Sequence, residues 1–84
     1  MITVAERVLR TQRENIKKAN NYRFKYKGME YKLSYDGGLA EFFSIQGRKL
    51  GTERFKYIDG FNGYIFDNKD QIIEHAKRMI VSKN

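Results

Sequence analysis

Tyr22-Arg23-Phe24-Lys25-Tyr26-Lys27-Gly28-Met29-Glu30-Tyr31-Lys32-Leu33-Ser34-Tyr35 alternates apolar with charged or polar residues at a period of two, the pattern of a strand with one buried face. Lys27-Gly28 interrupts the run at a point suited to a two-residue hairpin loop. With the chain folded back there, Tyr26 faces Met29, Phe24 faces Tyr31 and Tyr22 faces Leu33, all on one side. Lys25 then meets Glu30 and Arg23 meets Lys32 on the other. A slip of one residue would scatter the aromatic side chains over both faces, so the register is well specified.

Outward from this hairpin, the preceding segment changes period. Val4, Ala5, Val8, Leu9, Gln12, Ile16 and Ala19 fall on one side of a helix, and Arg7, Arg10, Arg13, Lys17 and Lys18 gather on the other. Thr3 and Glu6 have the spacing of a capping box, and Asn20-Asn21 suits the left-handed residue that ends a helix. After the hairpin, Asp36-Gly37-Gly38 predicts a turn, Leu39–Gln46 a third strand and Gly47-Arg48-Lys49-Leu50-Gly51 a basic turn. Adjacent Phe42 and Phe43 must then point to opposite faces. Thr52–Ile58 reads as a fourth strand, with Phe55 and Tyr57 on one face and Arg54 and Lys56 on the other. Asp59-Gly60 and Asn62-Gly63 read as turns that bring Phe61 against the core, and Tyr64-Ile65-Phe66 as a short last strand. Asn68, with Gln71 three residues on, caps a second helix whose stripe is Ile72, Ile73, Ala76, Met79 and Ile80. The expected fold is therefore a single α+β domain over residues 1–84. An N-terminal amphipathic helix leads into an antiparallel meander of about four strands and a C-terminal helix, with the helices packed on one sheet face.

The chain has 84 residues with no Cys, no Pro and no Trp, and a net charge of +7. The length suits one small core. The lack of Cys excludes a disulfide scaffold, a thiolate metal site and a thiol nucleophile. No apolar stretch approaches a membrane span, and charge comes too early for a signal peptide, so a cytoplasmic protein without a membrane partner is expected. Residues 1–34 carry nine basic against three acidic side chains, a net of +6, whereas residues 35–84 carry eight against seven. The basic excess thus belongs to the first helix and hairpin, on faces opposite the expected core.

Such a patch suits a polyanion. The expected function is a small nucleic-acid-binding module without catalytic activity or cofactor. DNA or RNA phosphates would meet Arg7, Arg10, Arg13, Lys17, Lys18, Arg23, Lys25, Lys27 and Lys32, with Arg48 and Lys49 as a secondary contact. The alternative is a small regulator or inhibitor, of the kind phages and mobile elements encode, that docks on an acidic surface of a host protein or nucleoprotein complex. An RNA-cleaving enzyme would have to draw on Arg54, Lys56, Tyr57 and His75. His75 is the sole histidine and has no His or Cys companion for a metal site. The hairpin rings are expected in the core rather than as a stacking platform, because so short a chain needs them there. A homodimer would cover an exposed ring of the Phe42-Phe43 pair or a free sheet edge.

The α-β-β-β-α order resembles the double-stranded RNA-binding domain, which implies an RNA duplex partner. The basic run which that family carries at its second helix is here Asn68-Lys69-Asp70-Gln71, close to neutral. The Tyr22–Ile80 layout, with Lys49-Leu50-Gly51 between strands, is similar in outline to three-stranded DNA-binding sheets of the AP2 type and of phage integrase arms. That likeness implies a sheet presented to the major groove. The chain departs from it in its long basic first helix, its lack of Trp and its longer Thr52–Asn62 segment. The aromatic consensus of RNA-recognition motifs is absent from Lys27-Gly28-Met29.

Overall fold

A computed structural model of the protein describes the backbone of residues 4–52 and 54–83, and the side chains within those ranges from Arg10 onward. Six elements follow one another: α1 (Val4–Lys17), β1 (Arg23–Tyr26), β2 (Met29–Gly37), β3 (Phe42–Lys49), β4 (Lys56–Asn62) and α2 (Lys69–Lys83). The strands form one antiparallel sheet in the order β1-β2-β3-β4. The architecture is thus the expected α+β meander flanked by two helices, both on one face of the sheet.

The first hairpin has the register its alternation predicts: Arg23 opposite Lys32, Phe24 opposite Tyr31, Lys25 opposite Glu30 and Tyr26 opposite Met29. Lys27 and Gly28 both take positive φ, 48° and 78°, as a two-residue turn that follows strand twist requires. Asn21, at φ 67°, ends the turn that follows α1, and its N–H donates to the Leu33 carbonyl at 2.8 Å. The Asn20 side-chain oxygen accepts from the Tyr35 N–H at 2.9 Å, so the two asparagines join α1 to β2 as well as stopping it.

Ile16 and Ala19 from α1, Tyr31 and Leu33 from β2, Phe43 and Ile45 from β3, Phe61 from β4, and Ile72, Ala76 and Ile80 from α2 form one buried cluster. Tyr22, Phe24, Tyr26 and Tyr35 pack around it, which places the hairpin rings in the core as expected. Phe43 stacks on Phe61 at 5.7 Å and Phe24 on Tyr31 at 5.2 Å between ring centroids. At α2, Asn68 Oδ1 accepts from the Gln71 N–H at 3.1 Å, and Gln71 Oε1 reaches back to the Asp67 N–H at 2.7 Å. This is a reciprocal cap in which the glutamine bonds one residue upstream of the capping position. The Thr3–Glu6 pair and the side chains of Val4, Ala5, Arg7, Val8 and Leu9 lie outside the described residues.

The later strands differ from their expected bounds, for local reasons. β3 starts at Phe42 instead of Leu39, because Gly37, Gly38 and Glu41 all hold positive φ and break the extended chain. Leu39 is left fully exposed. At its other end β3 runs through Gly47, Arg48 and Lys49, which are strand residues and not a turn. Gly47 lies where a Cβ would come within 2.4 Å of Ile58 Cδ1 and 3.0 Å of the Tyr31 ring. It marks a close approach inside the sheet. The turn is instead made at Leu50-Gly51, with Gly51 at φ 90°.

β4 begins at Lys56 and continues through Asp59-Gly60, the residues expected to turn, with its register against β3 shifted by one residue between Tyr57 and Asp59. Gly60 serves the sheet by leaving room for the Phe42 ring, whose Cζ would stand 2.2 Å from an added Cβ. Phe43 is fully buried on the helix side and Phe42 half-buried on the other, so the pair does point to opposite faces. Residues 64–66 form a turn and not a strand. Gln12 Nε2 donates to the carbonyls of Tyr64 and Phe66, at 2.9 and 2.7 Å, and this ties the turn to α1. Among the described residues no helix is long and apolar enough to cross a membrane.

Candidate functional site

The sheet face away from the helices carries Arg23 and Lys25 from β1, Glu30, Lys32 and Ser34 from β2, and Phe42, Ser44, Gln46 and Arg48 from β3. Strand alternation puts them there: each neighbours in sequence a residue of the buried cluster, a ring packed against it or, for Arg48, the buried Gly47, so it must point the other way. Phe55, just before β4, lies on this face. Its ring centroid is 4.3 Å from the Arg48 guanidinium, 4.8 Å from Lys32 Nζ and 5.4 Å from the Arg23 guanidinium. All three are within cation–π range, and three like charges converge on one neutral ring.

The carboxylate beside them is Glu30, directly across the ladder from Arg48. Arg48 donates to Glu30 Oε1 through Nε at 2.8 Å and Nη2 at 2.6 Å. This hydrogen bond holds the Glu30 carboxyl below its ordinary value, against the opposing effect of burial and with help from the charges of Arg48, Arg23 and Lys25. One carboxylate therefore stands in the field of several cations and neutralises one of them.

At the same end of the sheet is a cleft of about 830 Å³ whose lining includes Arg48, Arg54 and Tyr57 together with Lys49, Lys56, Met29 and Ile58; Lys49, paired with Met29, and Lys56, paired with Gly47, project from the helix side of the sheet. Arg48 both lines this cleft and contacts Phe55. Tyr57 is 64% exposed.

The basic residues expected at an interface divide between two layers. Arg23, Lys25, Lys32 and Arg48 lie on the open face, and Lys49, opposite Met29, lies on the helix side at the cleft. Lys27, in the hairpin turn, sits 5.4 Å from the Tyr26 ring. Arg10 on α1 and Lys18 just past its end are exposed, beyond the opposite face of the sheet. On the same side Arg13 pairs with the buried Glu41 at 2.8 Å, and Lys17 lies 5.5 Å from the Tyr35 ring. Glu41 also accepts a hydrogen bond from the Tyr35 hydroxyl, so Arg13 helps to anchor α1 to the β2–β3 loop. The hairpin cations and the α1 cations therefore do not form one patch. The Arg7 side chain lies outside the described residues.

The candidates for RNA cleavage are separated as well. His75 packs against Phe61 at 4.8 Å and Phe66 at 5.0 Å on the helix side, whereas Arg54, Lys56 and Tyr57 line the cleft.

Sequence reading did not find Phe55 as the centre of the basic face. The signal available was the opposite charge of Glu30 and Arg48: extending β3 past Gly47 puts the two directly opposite one another. The chain matches no protein-family model, no curated protein and no solved structure.

Proposed function

We propose that the protein is a small cytoplasmic nucleic-acid-binding module that holds the phosphate backbone on the open face of its sheet. The observation that supports this reading is the convergence of Arg23, Lys32 and Arg48 on Phe55 with Glu30 as their neighbouring carboxylate. Cations held together on a rigid sheet repel one another, and an incoming phosphate relieves that repulsion while releasing its own counterions. Lys25 on the same face extends the positive surface. The α1 cations, facing the other way, contribute to the long-range field and not to this contact.

The test is fluorescence anisotropy with labelled oligonucleotides between about 50 and about 200 mM salt. With roughly three to five phosphates neutralised, log K falls against log salt with a slope of about −2 to −4. Affinity that does not change with salt contradicts the reading.

A second reading, a regulator that docks on another protein, draws on a different observation. Leu39, Tyr64 and Ile65 are all exposed, on two loops joined by the Tyr64 N–H to Ala40 carbonyl bond at 3.3 Å. A partner held there would stay bound after nuclease treatment and through Arg23→Glu/Lys32→Glu, and would be lost on Leu39→Ser/Ile65→Ser.

A further inference from the structure

The helices do not cover the helix side of the sheet along its whole length. α1 is tied to the end where β3 starts, by Arg13 to Glu41 and by Gln12 to the Tyr64 and Phe66 carbonyls. α2 closes with Lys83, which pairs at 3.0 Å with Asp59, the residue opposite Ile45. The next helix-side pairs along the ladder, Gly47 with Lys56 and Met29 with Lys49, lie further along the sheet than that contact. The cleft of about 830 Å³ is at this end, and its volume is in the range of ordinary small-ligand sites.

Its lining sorts by chemistry. Met29 and Ile58 are half-buried and pack against the core. Gly47, buried between Ile58 and the Tyr31 ring, adds no side chain to this apolar floor. Lys49 stands two residues beyond Gly47 on β3 and Lys56 directly across the ladder from it, and Arg54 lines the same cleft. All three cations are exposed. Among the described residues none of them pairs with a carboxylate, whereas Arg48 is engaged by Glu30. Like charges gathered this closely on a sheet repel one another, and a ligand with several negative charges relieves that repulsion.

The two halves of the lining select together. A purely apolar compound leaves the cations without counter-charges, and a bare inorganic anion leaves Met29 and Ile58 facing water. A nucleoside polyphosphate satisfies both, since its flat base covers apolar surface while its adjoining phosphates concentrate negative charge. Lysine meets phosphate as a point charge, and arginine as a fork of donors.

We propose that this cleft binds a nucleoside di- or triphosphate, with the base against Met29 and Ile58 and the phosphates held by Lys49, Arg54 and Lys56. The site is on the other side of the sheet from Arg23, Lys32 and Phe55, and it stands independently of the open-face reading.

The experiment titrates ATP, ADP, adenosine and tripolyphosphate into the full chain by calorimetry at about 100 mM salt. ATP is expected to saturate with a Kd below about 1 mM, and adenosine and tripolyphosphate each to bind at least about tenfold more weakly. Lys49→Glu/Lys56→Glu should weaken ATP binding at least about tenfold, while Arg23→Glu/Lys32→Glu, an equal loss of charge, changes it by no more than about threefold. Amide shifts on the unaltered chain supply a readout free of any folding defect: ATP should move Gly47, Lys56 and Ile58 most. Absence of saturable ATP binding overturns the proposal, as does tripolyphosphate binding as tightly as ATP. A larger loss from the open-face pair, or shifts centred on Arg23, Lys32 and Phe55, overturns it as well.

Discussion

Arg48 and Glu30, partners across β2 and β3, are joined through two guanidinium nitrogens to a single carboxylate oxygen, at 2.8 and 2.6 Å. The same guanidinium lies 4.3 Å from the Phe55 ring centroid. Glu30 thus fixes a cation over the ring and at the same time cancels one charge of the face. Glu30→Gln should leave the neutral amide in place and release Arg48 for phosphate. Oligonucleotide binding should tighten, and the salt slope should steepen by up to about 0.9, as read by anisotropy.

Acid should destabilise the fold through two carboxylates. Glu30 sits below its ordinary value because Arg48 donates to it, and Asp59 because the Gly60 N–H and Lys83 do. A folded value below the unfolded one contributes stability that is fully present above the unfolded value and is lost as pH falls through the folded one. Melting temperature should therefore decline from about pH 5 downward. The Glu30→Gln/Asp59→Asn pair should show a shallower acid limb. An unchanged limb would contradict these assignments.

Tyr35 gives the opposite sign at the other end of the scale. Burial, with the hydrogen bond to Glu41 and the charge of that carboxylate, pushes its hydroxyl up to about 12. A raised folded value favours the protonated form, so its contribution is present below about pH 10 and is lost as pH rises from there toward about 12. Ultraviolet titration of the tyrosinates should show a late component that disappears in Tyr35→Phe.

Gly63 closes the end of the sheet beside the β2–β3 loop. An added Cβ would stand 2.6 Å from the Glu41 carbonyl oxygen and 2.9 Å from the Phe43 ring. Backbone and a fully buried ring have little room to give, so Gly63→Ala should cost about 1–3 kcal/mol. For a domain of this size each kcal/mol lowers the melting temperature by roughly 4–8 °C, which thermal unfolding followed by circular dichroism reads directly.

How far residues announced their places depended on whether a local pattern decided them. The Tyr22–Tyr35 hairpin was legible because alternation and Lys27-Gly28 agree on one register. The second helix was legible because Asn68 and Gln71 stand ahead of a clear apolar stripe. Glycine was the ambiguous letter. Gly47 and Gly60 look like turn residues in sequence, yet they are strand residues that make room for Ile58 and Phe42. That distinction depends on side chains distant in sequence. With Gly47 read as a turn, Arg48 loses its place opposite Glu30, and Phe55 its surrounding cations. The charge excess of residues 1–34 was read correctly as a quantity. Its division between two layers follows from both helices packing on one face of the sheet.

That division supplies the most direct test of the central claim. Arg23→Glu/Lys32→Glu on the open face and Arg10→Glu/Lys18→Glu on α1 and just past its end lower the net charge of +7 by the same amount, so long-range attraction falls equally in both. Oligonucleotide affinity at about 100 mM salt should drop by at least roughly 30-fold in the open-face pair and by no more than about threefold in the α1 pair. Equal losses, or the larger loss from the α1 pair, would contradict binding by the open face.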